Sequence, residues 1–209
     1  MLPLSDDIPR RTVPVATILI IIVNVIAFLW ELQLGPDLQQ TIMQIAFIPG
    51  RFWMPVYLFA NLETIVISMF LHGGFLHIGA NMLYLWIFGD NIEDRLGHVR
   101  SAVFYFLCGF IAAVTHAFAN PSSTLPAIGA SGAIAGVLGA YLILFPRARV
   151  TTLIPVFIFA LIRDLPAVLI LGLWFVLQLF SGVGSLGVRD AQGMGGGVAY
   201  FAHIGGFVA

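Results

Sequence analysis

Apolar positions in this chain gather into long runs separated by short polar stretches, and runs near the length of a bilayer crossing predict membrane-spanning helices. Residues 1–12 form a polar head carrying Asp6, Asp7, Arg10 and Arg11. The first predicted helix covers 13–32 and is closed by Trp30, an aromatic of the interface type. From Gly35 to about Leu71 the pattern breaks, with Pro36, Pro49 and Pro55, the aromatics Phe52, Trp53 and Tyr57, and the charges Asp37, Arg51 and Glu63. That mixture predicts a structured interfacial loop with short amphipathic helices. Further helices are expected over about 73–89, 99–119, 131–146 and 165–183, with a polar connection at Asp90–His98 between the first two. The run from Ser131 to Pro146 is short for a crossing, so its N-terminus is expected below the membrane surface. Thr151–Ile162 is apolar but interrupted by Pro155, and Gly182–Gly197 reads as a flexible glycine-rich loop. The last apolar segment, 198–209, is too short to span, so a truncated sixth helix is expected.

Composition sharpens the class. Hydrophobic residues make up 60% of the 209 and charged residues 9%, with a mean hydropathy of +1.01. A soluble globule needs about a quarter of its residues charged to cover its surface. The expectation is therefore an all-α polytopic membrane protein, with most of its surface in the lipid bilayer. The net charge of −1 and the lack of a basic patch argue against nucleic acid as a partner. The single cysteine, Cys108, excludes an intramolecular disulfide. No small-residue cleavage site follows the first apolar run, so it reads as a retained helix rather than a signal peptide.

Orientation follows from arginine alone, since the chain has no lysine. A cytoplasmic N-terminus puts Arg10, Arg11, Arg95, Arg100, Arg147 and Arg149 inside, Arg51 and Arg189 outside, and Arg163 near a boundary. The positive-inside rule favours that arrangement. It brings His72, His77 and Asn81, then Ser131, then His203 to one depth near the outer face. Each is ambiguous alone. Ser131, followed by Gly132, Gly136 and Gly139, suits a close helix-packing face, and an intramembrane Asn is commonly interhelical glue. Together at matching depth, Ser131 and His203 fit a nucleophile and its base, because a serine hydroxyl needs an imidazole to take its proton. Ser131 also opens a helix, whose free N–H groups face a developing oxyanion. His77 and Asn81, four residues apart, share a helix face from which both could donate to it. No Asp or Glu falls at the depth of His203, so the pair reads as a dyad. A small transporter would show inverted repeats or more buried charge, and neither is found.

Three blocks resemble the rhomboid family of intramembrane serine proteases: His72-Gly73-Gly74-Phe75-Leu76-His77-Ile78-Gly79-Ala80-Asn81, Gly129-Ala130-Ser131-Gly132 and Ala202-His203-Ile204-Gly205-Gly206. The connector Glu93-Asp94-Arg95-Leu96-Gly97 is also similar to that family's turn. The resemblance implies a rhomboid-like six-helix membrane domain over 13–209 with a short central serine helix opening to an outer aqueous cavity. It implies Ser131 as nucleophile, His203 as general base, and His77, Asn81 and the Ser131 N–H as oxyanion donors. Gly129 is implied as the family glycine before the serine, and Gly206 as the glycine letting two helices approach. It implies no metal or cofactor, a cap in the glycine-rich loop, and transmembrane proteins as substrates; with no sign of an organelle transit peptide, a multi-pass protein of the cell membrane is expected, by default a prokaryotic cytoplasmic membrane. Oligomeric state stays open. Two family features are missing: Ala135 replaces an aromatic that in some members stacks on the catalytic histidine, and no Trp-Arg pair stands near Glu63-Thr64. The runner-up is a non-catalytic rhomboid-like protein that binds membrane helices.

Overall fold

The computed structural model describes residues 1–54, 58–156, 159–187 and 199–209. In chain order they form β1 (Leu2–Asp6), α1 (Val15–Gln33), α2 (Leu38–Ile45), α3 (Leu58–Ser68), α4 (Phe75–Leu96), α5 (His98–Ala119), α6 (Ser131–Leu144), β2 (Arg149–Val156), β3 (Phe159–Pro166), α7 (Ala167–Gly187) and α8 (Tyr200–Val208). The chain is a mostly helical multi-pass membrane protein. Val15–Gln33, His98–Ala119 and Ala167–Ser185 are long and apolar enough to cross a bilayer.

The serine-headed helix α6 sits at the centre. Every residue from Gly132 to Gly139 is buried, because α4, α5, α7 and α8 surround it. Its side chains Ile134, Val137, Leu138 and Tyr141 join Leu85, Phe88 and Ile92 of α4, Tyr105 of α5 and Leu171 of α7 in the main core. At 1.5 Å per residue its 14 residues span about 21 Å, against about 30 Å of hydrocarbon. A helix this short cannot reach both faces.

Glycine makes the close approach possible. A methyl on Gly206 would overlap the Gly132 carbonyl, and one on Gly139 would lie 3.1 Å from the carbonyl carbon of Phe207. The α6–α8 contact is thus backbone against backbone, as the glycine spacing implies. Gly136 lies against the side chain of Cys108 in α5.

Three expectations need correction. The second expected helix does not stop at residue 89 but runs to Leu96, so most of the expected polar connection is helical. Its polar side chains find partners that keep the helix intact. Glu93 accepts the N–H groups of Ala16 and Thr17 (2.8 Å each) and the Thr17 hydroxyl (2.7 Å), capping α1. Gly97, at φ +80°, then ends the helix. The fifth helix starts at Ala167 rather than 165 and continues to Gly187, so the expected loop at 182–197 begins as helix; its remainder from 188 to 197, the expected cap, lies outside the described residues.

The third correction concerns the all-α class. Residues 149–166 form an antiparallel hairpin, and β1 adds to its edge in the order β1-β2-β3. The β-branched Val150, Thr151, Thr152 and Ile154 favour the extended backbone, with Val150 and Thr152 turned into the protein. Thr151 donates to Asp164 across the pair (2.7 Å). This sheet ties the head of the chain to the far end of α6 from Ser131. Asp6 accepts from Tyr141 of α6 (2.6 Å) and from Asn91 of α4 (2.7 Å), and Arg10 pairs with Asp90 (3.1 Å). Arg163, in β3 opposite Thr152, therefore lies in the same sheet as Arg149.

Candidate active site

Ser131 is the first residue of α6, following Ala130. The first hydrogen bond of the helix runs from Ile134 N–H to Ala130 O (3.0 Å), so the N–H groups of Ser131, Gly132 and Ala133 precede the intrahelical ladder. The loop leading to Ser131 is held from the 34–71 region. Gly129 N–H donates to Ser68 O (2.8 Å), Ala127 N–H to Phe47 O (2.8 Å), and Gly50 N–H to Ser123 O (2.9 Å). The short helices α2 and α3, with a 3₁₀ turn at Pro49–Arg51, thus act as a scaffold for the serine loop. The expected interfacial loop has its short helices, and its task is positional.

His203 comes from α8, and its Nε2 lies 2.8 Å from Ser131 Oγ. Its side chain is buried. On the other side of the ring, Nδ1 lies 2.8 Å from Oε1 of Gln178 in α7. That amide oxygen has no proton to give, so Nδ1 is the donor and a neutral His203 presents a lone pair at Nε2. Sequence reasoning missed Gln178 by searching this depth for carboxylates. The available signal was a lone amide in the apolar run before Ser181. Trp174, one turn earlier, places its ring 5.7 Å from the His203 ring centre, inclined by 36°. The aromatic missing at Ala135 is thus matched by one from α7.

His77 and Asn81 lie one turn apart on α4. Gly73 N–H donates to His77 Nδ1 (3.3 Å), so the proton of a neutral His77 is on Nε2. That nitrogen faces Gly129, where an added Cβ would sit only 2.8 Å from it. Gly129 adopts φ +125°, open to glycine and strained for other residues. Asn81 is buried, and its Nδ2 has no hydrogen-bond partner among the described residues. An unspent buried donor is costly unless something uses it. A cleft beside Ser131 is lined by Phe47, Ser68, His116, Gly129, Ala133 and Ala202.

A residue outside the expected set orients this group. Glu31, near the end of α1, is 1% exposed and accepts the His72 N–H through both carboxylate oxygens (3.0 and 3.2 Å). The His72 ring in turn packs edge-on against His77, with centroids 5.1 Å apart.

The chain matches the Rhomboid domain over residues 60–209. It is 36% identical over 91 residues to Rhomboid protein 1, mitochondrial, of Saccharomyces cerevisiae, covering 42% of this chain and 26% of that one. It is 33% identical over 137 residues to RHOMBOID-like protein 4 of Arabidopsis thaliana, covering 66% and 29%. It is also 29% identical over 84 residues to Inactive rhomboid protein 1 of Drosophila melanogaster, covering 40% and 6%. The matched stretch spans under a third of each of these relatives.

Proposed function

Because this chain belongs to the rhomboid family, we propose that it is an intramembrane serine endopeptidase, cleaving transmembrane segments of other membrane proteins with a Ser131–His203 dyad. The observation that carries this reading is the 2.8 Å contact between His203 Nε2 and Ser131 Oγ. Nucleophile and base are already at hydrogen-bond reach. In acylation the Ser131 oxygen bonds to the scissile carbonyl carbon as its proton passes to Nε2, and the carbonyl π pair moves onto oxygen. The Ser131 N–H, His77 Nε2–H and Asn81 Nδ2 are the donors for that oxyanion. Collapse breaks the C–N bond, and the imidazolium returns its proton to the leaving amine. Water repeats the sequence on the acyl-enzyme.

The same reading gives a rhomboid-like six-helix core over 13–209 and a substrate that unwinds locally, since a hydrogen-bonded helix hides its carbonyls. Residues 1–12 lie in the cytoplasm, on the arginine-rich side with Arg95, Arg147 and Arg163. Ser131 then opens toward the opposite face of a cell membrane. Neither metal nor cofactor enters the reaction.

Purified protein in detergent, treated with a fluorophosphonate probe, tests the proposal. Wild type labels, while Ser131→Ala and His203→Ala, checked for unchanged helicity and melting, do not. The competing reading, a non-catalytic helix-binding protein, is favoured by one relative being named inactive. It takes first place if folded wild type neither labels nor cuts an offered transmembrane substrate.

A further inference from the structure

Two side chains of α7 meet the His203 ring without touching Ser131. Gln178 stands on Nδ1 at 2.8 Å, and Trp174, four residues earlier on the same helix face, packs against the ring at 5.7 Å. Trp174 is also 5.9 Å from Phe207, one turn beyond His203 on α8. We propose that Gln178 and Trp174 are positioning residues that clamp His203 and fix its tautomer, so that the dyad carries a neutral third member supplied by α7.

Chemistry favours an amide in this place. Nδ1 must carry its proton if Nε2 is to receive the serine's, and the Gln178 oxygen placed at Nδ1 matches that choice. The alternative tautomer would put a proton on Nε2, leaving Oγ to accept that hydrogen bond and the imidazole with no lone pair at Nε2 to take the serine's proton. When Nε2 takes the serine proton, the Nδ1–H···Oε1 bond becomes charge-assisted and strengthens. A carboxylate would do the same, but its own charge would have to be buried in the membrane domain, and an amide avoids that. Among the described residues, the other titratable groups felt by His203 are His77 and His116, neither of them anionic. With no counter-charge nearby among the described residues, orientation by Gln178 and packing by Trp174 hold the base. The α7–α8 contact is otherwise apolar, as in the stacking of Phe175 on Phe207, so a Gln here has no other evident use.

The clamp rests on the protease reading for its catalytic meaning but not for its tautomer claim, and two measurements separate them. The first is ¹⁵N-histidine NMR of the full chain in micelles, with the His203 signals identified by their loss in His203→Ala. Wild-type His203 is expected as the Nδ1–H form, and Gln178→Leu, which suits a membrane helix, as a mixture. The second is the fluorophosphonate labelling rate against pH. Gln178→Leu should slow labelling about 10- to 100-fold, the scale of losing one orienting hydrogen bond to a charged imidazole. Gln178→Glu should restore labelling at alkaline pH and move its acidic limb upward, which a merely structural residue would not do. Trp174→Phe, keeping a ring, should retain more activity than Trp174→Leu. An Nε2–H tautomer in wild type, or a Gln178→Leu protein with unchanged tautomer and rate, overturns the clamp. An Nδ1–H wild type that shifts in Gln178→Leu but never labels upholds the clamp and sinks the protease reading instead.

Discussion

Replacing Gly206 with alanine is the most direct probe of how packing sets the dyad. The added methyl would overlap the Gly132 carbonyl oxygen, lie 2.9 Å from that carbonyl carbon and 3.4 Å from the Ala135 methyl. Carbon atoms settle at about 3.5–4.0 Å, so α8 must retreat from α6 by about 1 Å. The neighbour on the far side is backbone within a helix and cannot swing away as a side chain would. Overpacking of this kind costs about 1–3 kcal/mol. Gly206 is one turn from His203, and Gly132 directly follows Ser131, so the retreat opens the very pair that stands at 2.8 Å. A displacement of about 1 Å at reacting groups is worth about 100-fold in rate. Fluorophosphonate labelling, with thermal unfolding followed in parallel, should show that loss together with a lowered melting temperature. Gly139→Ala is the control. It meets the Phe207 backbone about 12 Å down the helix from Ser131, and should lower stability similarly with a smaller effect on labelling. A Gly206→Ala protein that labels and melts like wild type would refute the claim that backbone contact between α6 and α8 sets the dyad distance.

Gly129→Ala should abolish labelling with only a modest loss of melting temperature, since its methyl would crowd His77 Nε2 at 2.8 Å and strain a φ of +125°. Glu93→Ala should destabilise by about 2–4 kcal/mol in a denaturation series, because it strands the buried N–H groups of Ala16 and Thr17 and the Thr17 hydroxyl. Burial holds the Asp6 carboxyl above its usual range against the lowering effect of the Tyr141 hydrogen bond. A folded pKa above the unfolded one means the stability linked to Asp6 is fully present below about pH 4 and is lost as pH rises through the folded value. Asp6→Asn should therefore flatten that part of the stability–pH curve, and an unchanged slope would count against the half-buried Asp6–Tyr141 contact.

Much of the candidate site was legible because membranes punish polar groups. In a chain with so few charges, each polar residue within an apolar run needs a reason, and Ser131, His203, His77, Asn81 and Gly129 stood out on that ground and by their blocks. Glycine spacing on α6 and at Gly206 likewise foretold close helix approach. Gln178 escaped because an amide was not weighed as a third member, and Trp174 because an apolar run gives no register between separate helices. The helical stretch Asp90–Leu96 read as a connection for a related reason. Charged side chains signal solvent until a partner is known, and the partner of Glu93 is the start of α1, some 77 residues earlier.

Sequence by itself determined the solvent this protein lives in, the approximate helices, the short serine-headed α6 and the residue types able to do acyl chemistry. These are properties of composition and local periodicity, which a single strand of text carries. Tertiary structure alone decided that His203 stands at Ser131, that Gln178 and Trp174 grip its far side, that Glu31 aligns the His72–His77 segment, and that the head of the chain adds a strand to the 149–166 hairpin. Each of those joins residues distant along the chain. Hydrogen bonds and van der Waals contacts depend on distances of a few ångströms, and only the packed fold sets distances between separate helices.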